Sequence, residues 1–184
     1  MMRIAEFQKV SFDQFRKDYK AESGTLAKVA GRGEFYNEAE LEECVRAAYD
    51  SIAIPTRATK GSAGYDIVSP VDFSLAPGET VKVPTGIRAK IEEGWVLMIF
   101  PRSSLGFKYR LQLDNQTGII DSDFYDSPNE GHIFLKLTND GRNGKRVDIK
   151  AGDRIAQGIF LPYGITRGDS VSKSRNGGIG STGK

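Results

Sequence analysis

The chain has 184 residues, 39% hydrophobic and 27% charged, with 26 Lys and Arg against 24 Asp and Glu for a net charge of +2. These proportions exclude a disordered or fibrous chain and disfavour direct nucleic-acid binding, which goes with a more lopsided basic charge. No stretch reaches the roughly 18 consecutive apolar residues of a membrane span, and Glu6 and Gln8 interrupt the apolar core a secretory signal needs, so a cytoplasmic chain is expected.

Residues 1–50 carry helical signals. Ser11 can cap a helix in which Phe12, Phe15 and Tyr19 recur at helical spacing. After Gly24, Gly31 and Gly33, Asn37 and Glu40 have nearly the form of a capping box, and Leu41, Val45, Ala48 and Tyr49 line one face. Cys44, the only cysteine, falls on this segment and reads as a small buried hydrophobe. One cysteine and one histidine, His132, rule out an intrachain disulfide framework and a Cys/His zinc cluster. A bound metal would take oxygen ligands, which points to Mg²⁺.

From Ile54 onward short apolar runs alternate with turn residues, at 65–68, 80–83, 86–91, 95–100, 132–137 and 154–161. Pro and Gly punctuate them at intervals of about ten residues, the spacing of an all-β sandwich or barrel. The run Trp95-Val96-Leu97-Met98-Ile99-Phe100 is apolar throughout, which predicts a strand covered on both faces. The helices are too short to bury a core alone and are expected to pack on the β-domain or on a neighbouring subunit.

Five segments combine Gly, Ser, Arg and Asp in ways a plain sandwich does not require: Ala63-Gly64-Tyr65-Asp66-Ile67, Pro101-Arg102-Ser103-Ser104-Leu105-Gly106, residues 115–124, Gly152-Asp153-Arg154-Ile155-Ala156-Gln157, and residues 175–183. Arg102, Ser103 and Ser104 can meet phosphate or simply form a capped turn. Alternation after Ile119-Ile120 would put Asp121 and Asp123 on one face, as metal ligand and base or as a solvated strand end. Asp66 reads most plainly as a turn aspartate, and His132 as a structural histidine. The Gly-rich segment with Arg175, Ser181 and Thr182 can wrap a phosphate or be a disordered tail. Its partial match to a Walker A loop is false, because no helix follows it.

Together and in this order, the five segments resemble the motifs of the trimeric dUTP diphosphatases (dUTPases) over about residues 52–184. The resemblance implies an all-β jelly-roll (β-clip) with an N-terminal helical extension at 1–50, a β-domain at 51–174 and a flexible phosphate-binding motif at 175–184. It implies Mg²⁺-assisted hydrolysis of dUTP to dUMP and diphosphate, in a homotrimer whose sites each draw on three subunits. Asp121 is then similar to the general base. Asp66 is similar to the aspartate that reaches Mg²⁺ through water. Arg102, Ser103, Ser104 and Gln157 correspond to phosphate-directed residues. Asn115 falls where the family contacts uracil, beside the backbone of Gly118 and Ile120 in a hairpin. Phe124 stands where the family has a Tyr, and its ring can still stack under deoxyribose. Arg175, Gly178, Ile179, Gly180, Ser181 and Thr182 correspond to the motif that closes over the γ-phosphate.

Two further departures stand out. Residues 125–130 form a longer loop than the family's Tyr-Arg-Gly turn, so nothing after Phe124 receives a family role. Ile179 replaces an aromatic ring over uracil, at an expected cost of about 1 kcal/mol in binding. The alternatives are a dCTP deaminase of the same fold, with Glu130 as its candidate carboxylate, and a non-catalytic nucleotide-sensing regulator.

Overall fold

The first element is a strand. In the computed structural model, which describes residues 2–31, 37–142 and 144–172, β1 (Ala5–Lys9) pairs antiparallel with β6 (Ile87–Ile91). The helices α1 (Phe12–Val29) and α2 (Glu38–Ser51) follow it and precede β2 (Thr56–Arg57). They are therefore an insertion between strands, and the expectation of a purely helical segment at 1–50 is corrected. Its mixed polar sequence gives β1 little strand signal of its own; pairing with β6 supplies the order.

Both helices begin where the sequence says. Ser11 Oγ accepts from the Gln14 amide at 3.1 Å, and Asn37 Oδ1 accepts from the Glu40 amide at 2.9 Å. The inner face of α1 buries Phe15, Tyr19, Leu26, Ala27 and Val29. Phe15 is fully buried and packs on Gly86, where φ is +73° and a Cβ would stand 2.1 Å from the Ile52 side chain. Burial of a Phe side chain contributes about 1.5–3 kcal/mol, so the insertion is welded to the β-body. Cys44 is half-buried and packs against the same core.

Among the described residues all strand pairs are antiparallel. The largest sheet orders β2, β3 (Tyr65–Val68), β12 (Arg154–Pro162), β7 (Trp95–Pro101) and β9 (Gly118–Ile120). A second joins β5 (Thr80–Pro84), β10 (Phe134–Asn139) and β8 (Leu111–Leu113), and a third pairs β11 (Val147–Ile149) with β4 (Phe73–Leu75). The fold is the all-β jelly-roll anticipated, with the two helices laid on it. The core joins Leu75, Val81, Leu97, Leu137 and Ile155 from these three sheets and Ile87 from the β1–β6 pair to Phe15 and Val45 of the insertion.

The run at 95–100 is covered differently from the expectation. Leu97 and Ile99 are buried, but Val96, Met98 and Phe100 point to the opposite face and stay half-exposed. Register places Ile119, Ile159 and Leu161 beside them. Ile119 is 52% and Leu161 41% exposed. Within one chain this outer face of the large sheet is an apolar surface with no cover among the described residues.

Candidate active site

Asp66 on β3 and Gln157 on β12 are directly opposed, and Gln157 is directly opposed to Phe100 on β7. Cross-strand partners leave the same face of a sheet, so Asp66 and Gln157 lie at the edge of the apolar outer face. Gly64 allows Gln157 close approach, since a Cβ there would stand 3.0 Å from Gln157 Oε1. The amide of Gln157 also donates to the Pro101 carbonyl at 3.4 Å.

Two guanidiniums converge on Asp66. Arg102 Nε is 3.6 Å from one carboxylate oxygen and Arg154 Nη1 is 3.4 Å from the other. Arg102 follows the end of β7 and is the N-cap position of α3 (Ser103–Tyr109). Ser103 and Ser104 thus sit exposed in a first helical turn. A cleft of about 440 Å³ opens here, lined by Arg102, Ser104, Lys108, Asp153 and Arg154 among others. The guanidinium and ammonium groups suit a polyanion, and Asp66, Asp148 and Asp153 offset them when it is empty.

Arg154 was not assigned a role from sequence. A bulge between Arg154 and Ala156 shifts the register there, so Ile155 and Ala156 are both buried while Arg154 emerges on the side of Asp66. Simple alternation misplaces it. The sequence offers one signal of this break in alternation, the two consecutive apolar residues Ile155 and Ala156 after Arg154.

Asp121 is elsewhere. It follows β9 and begins a 3₁₀ turn at Ser122–Asp126. The ladder pairs Ile120 with Leu97, which sets Asp121 level with Val96, whereas Asp66 is level with Phe100. Three strand spacings across and four residues along amount to roughly 20 Å. Asp66, Arg102, Gln157 and Arg154 come together in one chain, and Asp121 does not join them. Asp123 belongs to the 3₁₀ turn, so it does not share a strand face with Asp121 as alternation predicted. Phe124 is buried, 3% exposed.

The hairpin expected at Asn115 is a corner instead. β8 pairs with β10 while β9 pairs with β7, so residues 114–117 carry the chain between two sheets. The corner is tight: the Gln116 amide donates to the Leu113 carbonyl at 2.8 Å with Gln116 at φ +62°. Lys136, at 2.9 Å, and Thr138 bind Asp114. Burial pushes the Asp114 carboxyl up, but the hydrogen bonds from Thr138 and Lys136 outweigh it and hold it below its ordinary value. Asn115 is exposed, and Gly118 lies tight against Ile99, where a Cβ would meet the Ile99 Cβ at 3.2 Å. Arg175, Gly178, Ile179, Gly180, Ser181 and Thr182 lie outside the described residues.

Glu130 is engaged away from this cleft. Its carboxylate accepts from the Ser11 amide at 2.8 Å and from Ser11 Oγ at 2.6 Å. That occupation removes the specific ground for a deaminase carboxylate. His132 is fully buried, accepts from the Gly86 amide through Nε2 at 2.8 Å and donates from Nδ1 to Asp18 at 2.6 Å, the bonding of a structural histidine.

The family model described as dUTPase matches residues 50–183. The deoxyuridine 5'-triphosphate nucleotidohydrolase of Lactococcus lactis is 44% identical over 135 residues, covering 72% of this chain and 89% of that one. Its counterpart in Haemophilus influenzae is 36% identical over 139 residues, covering 71% and 87%. Among solved structures, dUTPase from Streptococcus mutans aligns with a TM-score of 0.57 at 40% identity, over 65% of this chain and 91% of that one. A mutant dUTPase from phage phi11 of S. aureus, described with a structural Mg(II) ion, shares the fold with a TM-score of 0.56 at 24% identity, over 70% and 95%.

Proposed function

Since the chain belongs to the dUTPase family, a family of hydrolases, we propose that it hydrolyses dUTP to dUMP and diphosphate at sites shared between three copies. The observation that carries this reading is the uncovered apolar face bearing Asp66 and Gln157 at one end and leading to Asp121 at the other. A second copy seated on Val96, Met98, Ile119 and Ile159 would bury that face and bring its own Asp121 toward this chain's Asp66. In this three-copy reading the contact is head-to-tail, each copy's Asp121 end meeting the next copy's Asp66 end, and the rotation closes after three copies.

In this reading the triphosphate lies along Arg102, Ser103, Ser104 and Gln157. Asp121 of a neighbouring copy takes a proton from water, whose oxygen bonds to the α-phosphorus as the bond to the diphosphate oxygen breaks. Residues 175–184 close over the γ-phosphate. Asn115 and the backbone of Gly118 and Ile120 read the pyrimidine edge, where the pattern at N3 and C4 separates uracil from cytosine.

Mg²⁺ fits the donor set only as a companion of the substrate. Among the described residues no group of three or more His, Cys, Asp or Glu could hold a metal, and Asp66 is already shared by two arginines. Asp66 would hold a triphosphate-bound Mg²⁺ through water, and the ion would supply charge neutralisation at the phosphates. The product dUMP serves thymidylate synthesis in the cytoplasm, and removal of dUTP limits uracil in DNA. Diphosphate release from dUTP, dCTP, dTTP and UTP, with Mg²⁺ and with EDTA, tests the proposal. Mg²⁺-dependent release from dUTP alone is expected; release from none, or ammonia from dCTP, overturns it.

A further inference from the structure

The inserted helix and the longer loop after Phe124 meet each other, although Ser11 and Glu130 are 119 residues apart. The family match starts at residue 50, so α1 lies outside it. Glu130 replaces the local partner a capping box would use: one oxygen takes the Ser11 amide and the other its hydroxyl. A carboxylate at a helix N-terminus is also favoured by the exposed amide dipoles. Two turns further along α1, Asp18 accepts from His132 at 2.6 Å and from Gln14 at 2.7 Å. The Gly86 amide donates to His132 Nε2, so the ring proton is on Nδ1 and points to Asp18.

The same loop lies against the turn that begins at Asp121. Glu130 and Gly131 both have positive φ, +57° and +68°. That reversal brings Gly131 so close that a Cβ would stand 2.8 Å from the Phe124 carbonyl and 2.8 Å from the Tyr125 Cα. Ser127 closes the turn through its hydroxyl, 2.6 Å from the Phe124 carbonyl. Tyr125 donates to Gln8 at 2.7 Å and lies under the Arg88 guanidinium at 4.2 Å. The C-terminal side of the turn is thus held by β1, β6 and α1.

We propose that α1 and the 125–133 loop form one brace that positions the Asp121 turn for the reaction, with Glu130 and Asp18 as positioning residues. The proposal rests on the reading of Asp121 as the general base. Either feature alone would leave the Glu130 carboxylate, or the Ser11 amide and hydroxyl, without this partner.

The test compares the full-length protein with Glu130→Ala and the milder Ser11→Ala. Hydrogen exchange reads the Phe124 and Ser127 amides, whose bonds to Asp121 and Phe124 carbonyls define the turn. Exchange there should quicken about tenfold in Glu130→Ala, because the lost hydrogen bonds are to a charged group, while β12 amides stay protected. The kcat for dUTP should fall about tenfold or more with KM nearly unchanged, since displacement of about 1 Å near the chemistry costs up to about a hundredfold. Ser11→Ala should lie between. Unchanged exchange at the turn overturns the brace, and faster exchange with unchanged kcat overturns its positioning role. Full turnover by Asp121→Asn instead sinks the general-base reading, and the positioning proposal falls with it even if exchange reveals the brace.

Discussion

Gln157 stands directly opposite Asp66 across the β3–β12 ladder, and Arg102 and Arg154 grip the same carboxylate from either side. Position in the sheet, rather than proximity in sequence, makes these four residues one unit. The same register sets Asp121 roughly 20 Å away, so the unit lacks its proposed base within a single chain.

Replacement of that base is the most direct check. Asp121→Asn keeps the size of the side chain and loses its ability to take a proton. Turnover of dUTP should fall by about 10²–10⁴, while binding of a non-hydrolysable dUTP analogue, read by calorimetry, is retained. Undiminished turnover would remove Asp121 from the mechanism.

Much of this was legible in the sequence. The strands at 65–68, 80–83 and 95–100 begin where periodicity and turn residues put them, because alternation and Gly/Pro punctuation are local signals. β1 was not legible, since Glu6, Gln8 and Lys9 mask a strand that only β6 stabilises. Arg154 is not legible because a bulge sets it on the side of Asp66 and Gln157, which simple alternation does not predict. The hairpin at Asn115 is what the family resemblance implies, and the local sequence does not reveal that the runs on either side of it join different sheets. The contact of Glu130 with Ser11 has no local signature.

Assembly should depend on the outer face. Ile119→Glu places a charge where a half-exposed isoleucine adjoins Met98. The parent chain should sediment as a trimer and the variant as a folded monomer by circular dichroism. Its dUTP turnover should drop by about 10²–10⁴, the value of a general base no longer delivered by a neighbour. An active monomer would refute the shared site.

The loop reversal at Gly131 should be intolerant. Alanine there combines a φ of +68° with contacts of 2.8 Å to backbone atoms of residues 124 and 125. Gly131→Ala should destabilise the fold by about 1–3 kcal/mol, measured by urea unfolding. No loss of stability would mean that the loop relaxes away from the turn.

Acid should loosen the insertion. Burial pushes the carboxyls of Asp18 and Glu130 up, but hydrogen bonds from His132 and Gln14, and from Ser11, outweigh it and leave both below their ordinary values. A folded-state pKa below the unfolded one stabilises fully above the unfolded value, about 3.9 for Asp and 4.3 for Glu, and that stability is lost as pH falls through the folded value. The melting temperature of the parent should exceed that of Asp18→Asn at pH 7, with the gap closing below about pH 4. A gap that widens on acidification would contradict the sign.

The C-terminal segment should matter for turnover and not for folding. In the described cleft Arg102, Lys108 and Arg154 are balanced by Asp66, Asp148 and Asp153. A triphosphate brings about four negative charges, which calls for further donors at once. The sequence offers Arg175, Ser181, Thr182 and the amides of Gly178 and Gly180 for that purpose. A chain ending at residue 174 should lose about 10²–10³ in kcat, the scale of losing preorganised donors, with its melting temperature unchanged. Full activity in that chain would show that residues 175–184 take no part in closing the site.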